Sequence, residues 1–151
     1  MMFKFNVSGR DKLAVNLNRI VDRIEGTALD NILKEAIEPM RQETRRNALA
    51  LRDPTNSNPK GGHLDQGVAV QKLKTGPKSK RTWRLGFVRR ARKIAHLVEF
   101  GTAAHDQPGR GIRHPGARAK PFFRPAFEAN KGKALDIVKA RAWVQIRGPV
   151  K

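Results

Sequence analysis

Cysteine and tyrosine are absent from this chain of 151 residues, and serine occurs only as Ser8, Ser57 and Ser79. Without cysteine there can be no disulfide and no thiolate metal site. The three serines fall at element ends or in loops, and none sits in a Gly-x-Ser-x-Gly nucleophile elbow. Gly109-Arg110-Gly111 lacks the Gly-Lys-Ser/Thr ending of a phosphate-binding loop. No apolar run approaches the roughly 18 residues of a membrane span. Met1-Met2-Phe3-Lys4 leads into alternation instead of an apolar signal core, which predicts a protein made and used in a cytoplasm or in a particle assembled there. Carboxylates are scarce as well: 13, against 32 lysines and arginines, for a formal net charge of +19.

That charge calls for a polyanion, an acidic protein neighbour, or spacing within an assembly. Its distribution narrows the choice of region. Residues 1–50 hold 9 basic and 7 acidic side chains, whereas residues 66–127 hold 15 basic ones against Glu99 and Asp106 alone. A merely solvated surface intersperses both signs. The densest set is Lys72, Lys74, Lys78, Lys80, Arg81, Arg84, Arg89, Arg90, Arg92 and Lys93, with no carboxylate between residues 66 and 98. Such a set fits phosphates, where each contact releases counterions, and fits an acidic protein face equally. With no tyrosine, and with Trp83 on an apolar strand face, any nucleic-acid contact would be independent of sequence.

Periodicity predicts an α+β domain spanning 1–151: an antiparallel sheet of three to four strands, packed by long N-terminal helices and a C-terminal helix. Phe3, Phe5 and Val7 alternate with polar residues as a strand. Leu13, Leu17, Ile20, Val21 and Ile24 form one helical face that ends at Gly26. Thr27 and Asp30 have capping-box spacing for a second helix, which Pro39 kinks without ending before about Leu51. Residues 52–66 read as a mobile loop. Val68 and Val70, then Trp83, Leu85 and Phe87, read as a hairpin turning at Thr75-Gly76-Pro77-Lys78. A short helix over 92–100 stops at Gly101, and 101–120 is a long loop. The last helix begins near Pro125, with Phe127, Ala134, Leu135, Val138, Ala142 and Ile146 as its buried stripe. A hydrophobic share of 38% is lean for such a domain, so some apolar surface should find its partner in another subunit.

His96, His105 and His114 recur every nine residues, which matches no metal-binding spacing, so no metal or cofactor is expected. Glu99, just before a glycine turn and among cations, is expected to pair with Arg113 or Arg118 and fix the base of the loop. Phe122 and Phe123 are candidate anchors on a neighbouring subunit, with the subunit's own core as the alternative; Phe127 belongs to the core. The chain reads as a non-enzyme.

One ordered series of short motifs carries a family resemblance. Leu97, Glu99, Phe100, Gly101 and Thr102 close an apolar stretch, and Pro121, Phe122, Arg124, Pro125 and Ala126 open the last helix. With the strand, helices and loops before them, they resemble the neck and tail-completion (minor tail component) proteins of long-tailed bacteriophages, best over residues 94–147. His63-Leu64-Asp65-Gln66-Gly67-Val68 departs from the Gly-x-Leu-then-Ser pattern of that family. The resemblance implies a virion subunit assembled in the host cytoplasm into a ring, six-fold, around the DNA channel. Its neighbours would be the head-closure or connector protein, the tail terminator protein and, nonspecifically, packaged DNA. The basic set would face that DNA or an acidic neighbouring ring. Glu99, Phe100, Gly101, Arg110, Arg113, Arg118, Phe122, Phe123 and Arg124 would form the inter-subunit loop and anchor. Two alternatives remain open: a free-standing, sequence-independent nucleic-acid-binding protein, and the tail terminator of the same particle.

Overall fold

The computed structural model describes residues 10–52, 55, 63–73, 81–88, 91–107, 109 and 111–148. Four helices, α1 (Arg10–Ile24), α2 (Thr27–Ala50), α3 (Ala91–Phe100) and α4 (Phe123–Arg147), surround two antiparallel hairpins. One hairpin pairs β1 (Val68–Leu73) with β2 (Thr82–Phe87), and the other pairs β3 (His105–Gln107) with β4 (Ile112–His114). The class is α+β, as periodicity indicated. The described strands form two separate two-stranded sheets, and the strand expected at Phe3–Val7 lies outside the described residues.

α2 and α4 are the backbone of the fold. Ile32, Ala36, Met40, Thr44 and Ala48 recur every fourth residue and are the buried row of α2. Alanine at 36 and 48 lets α4 approach closely, and α4 packs chiefly here. Asn47 donates to the Phe122 carbonyl at 3.1 Å near one end, and Arg141 donates to Glu35 at the other, so the helices run antiparallel. The buried Thr44 hydroxyl donates to the Met40 carbonyl at 2.8 Å, which removes the cost of burying it. α2 runs unbroken through Pro39.

The capping box expected at Thr27 and Asp30 is not made. Gly26, at φ 66°, precedes the helix, and no side chain caps it. Asp30 instead accepts from Trp83 Nε1 at 3.0 Å and from Lys72 Nζ at 2.5 Å, tying the first hairpin to α2. A longer reach serves the other end of α2. Arg52 grips the buried Asp65 carboxylate through two bonds of 3.0 Å, holding the 3-10 turn Asp65–Gly67 that leads into β1. The loop expected over 52–66 otherwise lies mostly outside the described residues.

β1 and β2 pair from Val68↔Phe87 to Leu73↔Thr82, the hairpin that their alternation predicts. The expected unstructured loop over 101–120 is instead a short ribbon. His105 lies opposite His114, and Thr102 bridges Ala117 farther down. Short polar strands carry little period-2 signal, which is why the loop composition hid them.

The core is small. Its cluster joins Ala48, Ala95 and Phe122, with Phe87, Val98 and Phe123 against it. Of the nine buried apolar residues five are alanine, whereas eleven large apolar side chains remain exposed among the described residues. The α1 face shows why. Ile20 and Ile24 are half-buried, but Leu17 and Val21 stay 53% and 49% exposed, because α1 lies mainly against α4 and only grazes α2. No helix among the described residues is long and apolar enough to cross a membrane.

Candidate functional site

Alanine, leucine and lysine favour helix in α3, and the turn after it needs a positive φ that Gly101 supplies at 74°. This places Glu99 in the last turn of α3, facing the first turn of α4. Its Oε2 accepts the backbone N–H groups of Phe122 and Phe123 at 2.9 Å each, and its Oε1 accepts that of Arg124 at 3.0 Å. A helix start leaves four N–H groups without intrahelical partners. Glu99 takes three, and Pro125 removes the fourth by having none.

The charge matters as much as the geometry. α4 has no acidic residue in its first turn, so the Glu99 carboxylate is the anion that its dipole meets. Burial pushes the Glu99 pKa up, but the three N–H bonds and the Arg124 charge outweigh it, holding the group ionised below the ordinary value. Arg113 and Arg118 are not its partners, contrary to the expected loop-base pair. Arg113 sits on β4 opposite Asp106, and Arg118 is exposed beyond the ribbon.

Two glycines let the ribbon cross over this junction. A Cβ on Gly101 would lie 2.6 Å from the Ala117 carbonyl oxygen, and one on Gly116, at φ 88°, 2.4 Å from that of Thr102. Thr102 and Ala117 exchange backbone bonds of 2.9 and 3.0 Å between them, and Lys120 N–H donates to Val98 at 2.8 Å. Phe122 is 1% exposed and lies edge-on to Phe87 at 5.5 Å. It therefore serves the subunit's own core, not a neighbour's, and Phe123 is half-buried beside the same ring. Phe127, expected inside, is 43% exposed, and Leu135 is exposed too. The apolar residues of α4 are spread around the helix, so its own pattern does not say which side turns to α2.

Beside the junction an apolar groove of about 550 Å³ opens between α3 and α4. Helical spacing aligns Arg92, His96 and Phe100 along one wall, next to the buried row Ala91, Ala95 and Glu99. Phe123 and Phe127 form the other wall, with Arg124 and Glu128 at its rim. Phe100 is 71% exposed there.

The basic set does not form one uniform surface. Lys72 is paired with Asp30. Arg81 lines a recess between α2 and α4 with its Nε buried and unbonded. Arg84 bonds Gln71 at 3.1 Å, and Arg92 and Lys93 are exposed on α3. Lys74, Lys78, Lys80, Arg89, Arg90 and Arg110 lie outside the described residues. His105 and His114 stack across the ribbon at 5.1 Å, away from His96. Among the described residues no group of three potential ligands could hold a metal ion.

Sequence reasoning missed the Glu99 cap, the Asp30 tie and the Arg52–Asp65 clamp. None of the three carries a local signal in the sequence. No known protein family, curated protein or solved structure matches this chain.

Proposed function

We propose that this chain is a non-enzymatic structural subunit of a phage head–tail junction, forming a ring around the DNA channel and joining the head connector to the tail. The observation that carries the reading is the Glu99 cap. Glu-Phe-Gly-Thr and Pro-Phe-Phe-Arg-Pro-Ala, the two segments on which the resemblance rests, meet as one hydrogen-bonded unit. Residues 23 to 25 positions apart are thereby interlocked, which gives a physical reason for those residue types to occur together.

The exposed apolar residues support an assembly role. Leu17 and Val21 on α1 present a stripe that a neighbouring subunit would cover, with Trp143 and Val144 on α4 as further exposed surface. Arg113 and Arg118 on the ribbon side are free to reach across such a contact. Arg84, Arg92 and Lys93 give exposed positive charge to the channel or to an acidic neighbouring ring. Changing Arg89, Arg90 and Arg92 together to Glu tests the role. Heads and tails that are each complete but unjoined are the expected product; normal infectious particles contradict it.

The same exposed cations favour the second reading, a free-standing nucleic-acid-binding protein. That reading requires tight, salt-sensitive duplex binding by the isolated monomer.

A further inference from the structure

The groove between α3 and α4 has the makings of a recognition site, and its chemistry selects the occupant. Five of the chain's seven phenylalanines, Phe87, Phe100, Phe122, Phe123 and Phe127, line it. Phe100 and Phe127 form its open edges, so it can admit large apolar side chains without rearrangement of the core. Among the described residues its polar lining is Glu99 and His96, with Arg92, Arg124 and Glu128 at the rim. The one carboxylate in the floor, Glu99, has both oxygens engaged by backbone N–H groups, and Glu128 is paired with Lys131. An apolar floor with a charged rim is the anatomy of a peptide-docking groove.

The rim is positive. Arg92 and Arg124 stand on opposite walls, and neither has a salt bridge among the described residues. A smaller recess of about 190 Å³ continues the groove past Phe87 and Arg92 to Arg84 and Gln71. Arg92 and Arg124 thus flank the apolar groove, and Arg84 lines the more polar recess beside it. A second copy of this chain is a poor occupant, because it carries +19 and seven of its 13 carboxylates are already engaged. Asp30, Glu35, Glu38, Glu43, Asp65 and Glu128 are in ion pairs, and Glu99 caps α4.

We infer that this groove docks an acidic, amphipathic segment of a different protein, with apolar side chains between Phe100 and Phe127 and carboxylates on Arg84, Arg92 and Arg124. The inference goes beyond the junction reading by naming the partner's chemistry, and it stands or falls without any particle.

The probe is a displayed library of random 12-residue peptides, selected against the full chain. Enriched sequences should combine two or more large apolar residues with net negative charge. A synthetic peptide of the winning sequence, titrated by fluorescence anisotropy, should bind at least tenfold more weakly to Phe100→Ser and to the double variant Arg84→Glu, Arg92→Glu. These side chains lie at the surface, and circular dichroism matching the parent establishes that each variant folds. The same peptide with its carboxylates replaced by lysine should bind the parent at least tenfold more weakly. Enrichment of basic or uncharged sequences, or no enrichment, overturns the inference. So does a winning peptide that Phe100→Ser binds as tightly as the parent, which would locate binding on the cationic surface alone. Concentration-dependent self-association that Phe100→Ser abolishes would give the groove to a second copy and also overturn it.

Discussion

The α3–α4 junction and helix α1 end in opposite states. At the junction, the first-turn donors of α4 are all accounted for, two glycines permit the chain crossing, and Phe122 is sealed inside. On α1, Leu17 and Val21 remain half-exposed on a helix that packs mainly on α4 and the edge of α2. Completing the burial of each would contribute about 1 kcal/mol. The difference teaches that the subunit is finished where its motifs meet and unfinished at its flank. Stability belongs to the first region, and the proposed association would use the second.

Breaking the junction should have the largest effect. Glu99→Ala leaves three N–H groups at a partly buried helix start without their charged acceptor, and an expected loss of about 3 kcal/mol follows from that kind of bond. Urea unfolding checks it; a loss below about 1 kcal/mol, the scale of a single ordinary cap, would show the carboxylate to be replaceable by water. Next comes Gly101→Ala, which imposes a positive φ and a 2.6 Å approach to the Ala117 carbonyl. Its expected cost is about 2 kcal/mol, measured as a shift in thermal midpoint relative to the parent.

Acid should weaken the same junction more gently. The folded-state pKa of Glu99 lies below the ordinary value of 4.5, so its contribution is complete above that pH and lost as pH falls through the lower, folded value. The Lys72 hydrogen bond lowers Asp30, and the Arg41 hydrogen bond lowers Glu38, so these share the direction. The comparison is therefore between the parent and Glu99→Gln. Urea midpoints of the parent should fall more steeply below about pH 4.5 than those of the variant; parallel curves would remove Glu99 from the account.

The smallest effect on stability per substitution belongs to α1. Leu17→Ser with Val21→Ser should cost the isolated chain about 1 kcal/mol per site, because each side chain is already half-covered. The same pair should abolish assembly, read as a loss of higher-mass species by light scattering. A large destabilisation with assembly intact would reverse the roles assigned to the two regions.

Helices α2 and α3 and the first hairpin were legible because local period and glycine punctuation decide them. Gly101 announced the end of α3, and the Val68–Val70 and Trp83–Phe87 alternations announced the strands. The Glu99 cap was not legible, because its donors lie 23 to 25 residues away and nothing local marks the meeting. Phe122 and Phe127 show the same limit. Both lie near the start of α4, yet only the way that helix rolls against α2 and β2 decides which is covered. Asp30 looked like a local cap because spacing was the only information; a tertiary tryptophan and lysine claimed its carboxylate instead.

The most direct test of the junction role is to locate the chain in particles made by the genome that encodes it. Antibody labelling in negative stain, combined with mass analysis of intact particles, gives position and copy number together. The account predicts label at the seam between capsid and tail, in multiples of six copies. Absence from every particle, with the protein found instead on nucleic acid in lysates, would contradict it.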